Sequence, residues 1–198
     1  EFRRVLFRSM EEAYHAMFTD LTDAINVMTV YVTENPNNRT MAKYDKVYDG
    51  DFEKWVKFAN SLKLRMAIRI RFADREYARQ MAEEAINHSI GVITSNEDNA
   101  TSLGTKNQLY TVLVQWPDQC VSADITSYMK GYNDPRMSKY FKKKTSDKGD
   151  DDYVGMRAGL SYGNDITGPT FSRINVGEME RTLWMSAAET AFNKAEAA

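Results

Sequence analysis

A mainly α protein, made of antiparallel helix pairs and broken by a long irregular insertion, is what this sequence predicts. Three observations carry that prediction. Apolar residues recur at three- and four-residue steps from Met10 to His88, loop-forming residues dominate from Gly91 to Gly177, and a helical pattern resumes near Arg181.

The first helix is expected from Met10 to about Thr33, with Tyr14, Met17, Phe18, Leu21, Ile25, Met28 and Val32 on one face. It stops at ENPNNRT, because the residue before Pro36 is pushed out of helical geometry. A second helix follows Asp51, whose carboxylate is placed to cap the free amides of the first turn. Its stripe of Phe52, Trp55, Ala59, Leu62, Met66 and Ile70 is widened by Val56, Leu64, Ala67 and Ile68, so neighbours are expected on more than one side. Asp74 caps a third helix, with Tyr77, Ala78, Met81, Ala85 and Ile86 facing inward. Short connections between these helices make them antiparallel, in a bundle or an array of hairpins. The 34-residue tetratricopeptide consensus is not met, although the packing it specifies is compatible with this pattern.

Beyond Gly91 the stretch TSNEDNATSLGTKNQ reads as loop, and short helices are expected near SADITSYMKGY and DPRMSKYFKKK. In the second of these, Asp134 is placed to cap, Pro135 suits the first helical position, and Lys142–Lys144 suit the carbonyl end. Lys142 to Gly177 reads as irregular structure around short extended pieces. The last stretch, RTLWMSAAETAFNKAEAA, is expected to be one helix that no stop signal ends. The organisation expected is therefore a helical core over 10–90, an insertion with short helices over 91–177, and a core helix over 178–198.

Composition excludes several function classes. The 26 basic and 28 acidic residues among 198 are well mixed and leave a net charge of −2, so no basic face for nucleic acid is expected. No window approaches the roughly 20 apolar residues of a membrane span. Cys120 stands alone and forms no internal disulfide. His15 and His88 lie on separate helices without a second ligand at metal spacing, and Asp150–Asp152 lack the alternating pattern of a calcium loop, so no metal and no cofactor is expected. Phosphate-cradling and nucleophile-elbow motifs are absent.

Three stretches carry a resemblance. GDFEKWVKFANSLKLRMAIRI is similar to the strongest segment of the SusD/RagB family. SYMKGYNDPRMSKYF followed by DDYVGMRAGL resembles that family's D-P-R and Y-V-G-x-R-x-G elements, and MSAAETAFNKAEAA resembles the return of its chain to the helical core. They occur in the family's order and span Asp51 to Ala198. The resemblance implies tetratricopeptide-like helix pairs. It also implies a non-catalytic lipoprotein on the outer face of the outer membrane, a lid on a SusC-type TonB-dependent transporter, holding an oligosaccharide or a peptide for import.

Family members are longer and begin with an export signal and a lipid-attachment cysteine. The opening EFRRVLFRS reads like a translated sequencing adaptor, so residues 1–9 are expected to be non-native and the chain a fragment lacking both ends. A ligand site of the implied kind needs aromatic faces for the apolar sides of sugar rings and polar groups for their rims. The candidates are aromatics outside the helical stripes, Trp116, Tyr153 and Tyr162, then Phe171, with Arg157, Asn164 and Asp165 as polar companions. Trp55 and Trp184, on helical faces, are expected to be structural. Two other functions fit the pattern: a helical-repeat adaptor binding proteins through a groove, and, less well, a glycoside hydrolase fragment using Glu189 and Glu196. The long aromatic-bearing insertion favours the ligand-holding lid over the adaptor.

Overall fold

Ser9, the last residue of the opening stretch, has extended backbone and its hydroxyl accepts the Glu12 amide at 3.1 Å, which starts α1 (Met10–Glu34). The structure, a computed structural model, describes residues 9–102, 104–116, 119–144, 152–159 and 171–198. Residues 1–8 of the presumed adaptor lie outside it. Two compact units are formed, Glu1–Leu103 with Thr182–Ala198, and Gly104–Arg181.

In the first unit, Asp51 accepts the Lys54 amide to open α2 (Phe52–Ile70), and Asp74 accepts the Tyr77 amide to open α3 (Arg75–Ile86). α2 is the centre of the unit. It buries Val56, Ala59, Leu64, Ala67 and Ile70, on more than one side as its wide stripe predicts. One cluster joins Phe18 of α1 and Leu64 and Ala67 of α2 to Ala78, Met81, Ala82 and Ala85 of α3, and another sets Ile25 against Val56 and Ala59. Small alanines on α3 let the helices approach closely, so most of the stabilisation here is burial of apolar surface.

The polar residues inside α2 hold the next segment. The Asn60 side-chain amide donates to the Gly91 carbonyl at 2.9 Å. The Ser61 hydroxyl donates to the Lys57 carbonyl at 2.8 Å and accepts the Ile93 amide at 2.9 Å. Both residues are almost fully buried, and these hydrogen bonds offset the cost of burying them. The A-N-S-L run is thus a clamp that fixes the chain leaving α3 against α2.

Before α2, Asp45 organises the connecting loop. One carboxylate oxygen accepts the amides of Val47 and Tyr48, the other the amide of Gly50 and the indole N–H of Trp55, at 2.8–3.2 Å. Burial raises the Asp45 carboxyl, but these hydrogen bonds outweigh it and hold the group below its ordinary value. Gly50 has φ of +76°, and a Cβ there would come within 2.7 Å of the Ala42 amide nitrogen, so the tight return of this loop requires glycine.

The end of the chain departs from expectation. Leu183–Met185 is not helical but a strand, β4, antiparallel to β1 (Ala100–Thr101); Trp184 therefore stands on a strand. Thr182, Leu183 and Trp184 suit an extended chain, and the extended form lets Met185 drop into a cluster with Val47, Tyr48, Ile93 and Ala100. Ser186 then accepts the Glu189 amide at 3.1 Å and α7 runs Ala187–Ala197. Phe192 of α7 is exposed.

The second unit contains α4 (Gln108–Tyr110), α5 (Ala123–Gly131), α6 (Met137–Tyr140), β2 (Phe141–Lys142) and β3 (Arg173–Ile174). Among its described residues, Val121, Met129, Met137 and Phe141 form a buried apolar cluster. Backbone bonds do the rest. Residues 121–123, 154–156 and 172 exchange them at 2.7–3.0 Å, and β2 pairs antiparallel with β3. Gly155 lies so close to α5 that a Cβ would meet the Ser122 carbonyl at 2.4 Å and the Thr126 hydroxyl at 2.3 Å.

The helix expected through Lys144 stops at Tyr140, because Phe141 turns extended to pair with Ile174 while its side chain fills the cluster. Nor does Asp134 cap that helix. It accepts the Arg136 amide at 2.9 Å and grips the Arg136 guanidinium, closing a turn one residue earlier.

Candidate functional site

The aromatic surface of the second unit is built from its turns. Asn107 is buried and fully used: its carbonyl oxygen accepts the Leu109 amide at 2.8 Å, its backbone amide donates to Glu178 at 2.8 Å, and its side-chain amide to the Glu180 carbonyl at 3.1 Å. From this anchor α4 passes into a π-helical turn, Thr111–Gln115. Such turns are rare and cluster at functional sites. The chain leaves it at Trp116, whose backbone amide returns to the Thr111 carbonyl at 2.9 Å while the indole is 58% exposed. Leu109 is exposed on the same segment, so Trp116 has the freedom from packing that a sugar platform needs.

Tyr153 is different. It is half-buried against Val121, Met129, Met137 and Phe141, and the Lys143 ammonium stands 5.8 Å from its ring centre. Its body is structural and only its outer part is open. Arg157 is exposed and follows Met156, the bridge partner of Ser122. Phe171 is half-buried. Tyr162, Asn164 and Asp165 lie outside the described residues. Among the described candidates, the structure does not join Trp116 and Tyr153 into one platform, since their rings are not in contact.

It does form another. Tyr128 of α5 and Tyr132, the residue that ends that helix, have ring centres 4.8 Å apart at 47° and are 68% and 72% exposed. With exposed Ile125 they make an apolar stripe at steps of three and four, while Thr126 and Met129 of the same helix face inward. Large aromatics seldom stay this open without a partner surface. Two inclined rings offer the C–H faces of a sugar a shallow cleft.

Polar groups border the stripe. The Lys130 ammonium donates to Asp152 at 2.6 Å, and this bond, with the Tyr153 amide, holds the Asp152 carboxyl below its ordinary value. Hydrogen bonding by Arg136 holds Asp134 down to about 2. Both carboxylates are thus anions near neutral pH, able to accept hydroxyl hydrogen bonds but not to supply a proton.

The two glutamates of the hydrolase reading are both engaged by arginines. Glu189 accepts a two-pronged bond from Arg65 at 2.5 and 2.6 Å, and Glu196 is ion-paired with Arg71. In both cases a guanidinium occupies the carboxylate oxygens. In the first unit, a cavity of about 650 Å³ is walled by Ala67, Arg71, Phe72, Arg75, Ala78 and Glu196. It presents charge and a lone exposed phenylalanine rather than an aromatic pair.

Comparison with known proteins adds the following. The SusD-like family model, described as Susd and RagB outer membrane lipoprotein, matches residues 3–198. A susD homolog of Bacteroides thetaiotaomicron VPI-5482 is similar at 34% identity and a TM-score of 0.84, over 94% of this chain and 39% of its own. A SusD homolog of Bacteroides uniformis ATCC 8492 has 38% identity and a TM-score of 0.76, over 96% and 39%. A chitin-binding SusD homolog of Flavobacterium johnsoniae has 34% identity and a TM-score of 0.80, over 94% and 39%. The chain thus spans about two fifths of the solved relatives it matches. No curated protein sequence matches it.

Proposed function

This chain belongs to the SusD-like family of outer-membrane lipoproteins, and from that premise we propose that its protein holds an oligosaccharide at the cell surface for a SusC-type TonB-dependent transporter and breaks no bond in doing so. The exposed Tyr128–Tyr132 pair carries the reading. A protein that only scaffolds has no use for two adjoining tyrosines in water, whereas one that holds a sugar ring needs such faces. Trp116 is a second platform in the same unit, and Lys130, Asp152 and Arg157 supply rim groups. The chitin-binding relative makes oligomers of N-acetylglucosamine the first ligand to try.

No helix among the described residues is long and apolar enough to cross a membrane. Attachment in this reading is by lipid, in keeping with the family's description. Delivery follows from loose holding: open aromatic faces bind through dispersion and desolvation and release the ligand without any group having to change its protonation.

Native gels cast with soluble polysaccharides, glycol chitin first, test the proposal. The chain is expected to be retarded by at least one polysaccharide, and Tyr128→Ala with Tyr132→Ala to reduce that retardation several-fold, in keeping with about 0.5–1.5 kcal/mol per aromatic contact. No retardation by any polysaccharide, with binding to unstructured peptides instead, contradicts the oligosaccharide reading.

A further inference from the structure

The first turn of α1 and the cap of α3 bring together three side chains that lie far apart in the sequence. Glu11, His15 and Asp74 each offer one ligand atom within 4.8 Å of those of the other two. Glu11 and His15 are four residues apart, on one face of α1. Asp74 reaches them from the next helix but one, with one carboxylate oxygen already used to cap the Tyr77 amide and the other turned to His15.

Two details point to a ligand. The Nε2 atom of His15 is shut off from water and has no hydrogen-bond partner, although the outer part of the ring is open. Its distance to the free Asp74 oxygen is 3.6 Å, too long for a hydrogen bond. It is close to the edge of about 3.3 Å that a tetrahedron with metal–ligand bonds of about 2.0–2.1 Å has. A buried nitrogen without a partner is costly, and a metal ion between it and the carboxylate would remove that cost.

The ring is also held in place. Tyr77 stacks on His15 with centres 4.1 Å apart, and Phe18, fully buried, meets Tyr77 edge-on at 5.4 Å. The core itself therefore orients the imidazole, as a ligand needs to be oriented before the ion arrives. Glu11 is exposed and free to swing the remaining distance.

We propose that Glu11, His15 and Asp74 bind a divalent transition metal, zinc by the chemistry of one imidazole and two carboxylates. Water fills the open fourth position. The ion ties the start of α1 to the start of α3 as a staple of the first unit. Its two positive charges balance the two carboxylates.

Calorimetric titration of the chelator-treated, untagged chain with zinc chloride tests this, with Cys120→Ser in every sample so that the thiol takes no part. One ion per chain is expected, with a raised thermal midpoint. Glu11→Gln, His15→Gln and Asp74→Asn should each weaken binding by at least roughly tenfold while leaving the metal-free chain folded, since asparagine still caps α3. Cobalt in place of zinc should give an absorption spectrum that His15→Gln abolishes. An unaltered thermal midpoint without bound zinc, or zinc binding that all three variants leave unchanged, overturns the proposal.

Discussion

The two units hold themselves together by different physics. In the first, α2 is covered by α1, α3 and α7, and the interior is a run of fully buried apolar groups such as Phe18, Leu64 and Ala85. Among the described residues of the second, Val121, Met129, Met137 and Phe141 form the buried cluster, and backbone bonds among residues 121–123, 154–156 and 172 and turns closed by Asn107 and Asp134 hold the chain beside it. A unit closed by hydrogen bonds need not bury its aromatics. Tyr128, Tyr132 and Trp116 are left outside, and that freedom is what a binding surface requires.

The largest effect expected from this contrast is in the first unit. Phe18→Ala removes a ring with no exposed surface from a cluster that cannot collapse around the gap, and should cost about 3–5 kcal/mol in denaturant unfolding. If the loss is under about 1 kcal/mol, the helical core is not close-packed as described.

Gly155→Ala separates the units more finely. The added carbon has no room beside Ser122 and Thr126, so a cost of about 1–3 kcal/mol is expected. Hydrogen exchange should quicken in 104–181 and stay unchanged in α2. Equal quickening in both would show that the units do not behave separately.

How much of this could be read in the chain follows the same division. The caps Asp51 and Asp74 and the stripes of α1 to α3 were legible, because apolar periodicity and capping chemistry are local. The strand at Leu183–Met185 was not, since its reason is distant: β1 offers an edge and the Val47–Ile93 cluster offers Met185 a place. Asn60 and Ser61 read as polar interruptions of a greasy helix, and only the fold shows the backbone atoms at 91 and 93 that they hold. Of the expected site residues, Trp116 is open as a platform should be, and Tyr153 is half claimed by the core. Tyr128 and Tyr132 are not legible as a surface pair, because a four-residue step at the end of a short helix reads equally well as packing. The missing signal was which face of α5 is covered, and a single helix of nine residues does not reveal that.

The smallest expected effect is a dependence on pH in the first unit. The Nδ1 atom of His88 accepts the Ile90 amide at 3.2 Å. Its Nε2 atom lies 3.3 Å from the Thr29 hydroxyl, whose own hydrogen goes to the Ile25 carbonyl at 2.7 Å. This arrangement needs a neutral ring. Burial, and then the Lys63 ammonium, hold the imidazole below its ordinary value. As pH falls below about 6.5 the unfolded chain takes up the proton first, so stability declines there and is intact above. His88→Gln should flatten that part of the stability profile against pH, and an unchanged profile would remove His88 from the account.

The central claim is that the ligand surface lies in the second unit and not in the first. Hydrogen exchange with and without the oligosaccharide that retards the chain most is the direct test. Slowed exchange at 109–116 and 123–132, with α1 to α3 unaffected, is the predicted result. Slowing confined to residues near Arg71 and Phe72 would place the ligand in the first unit and contradict the claim.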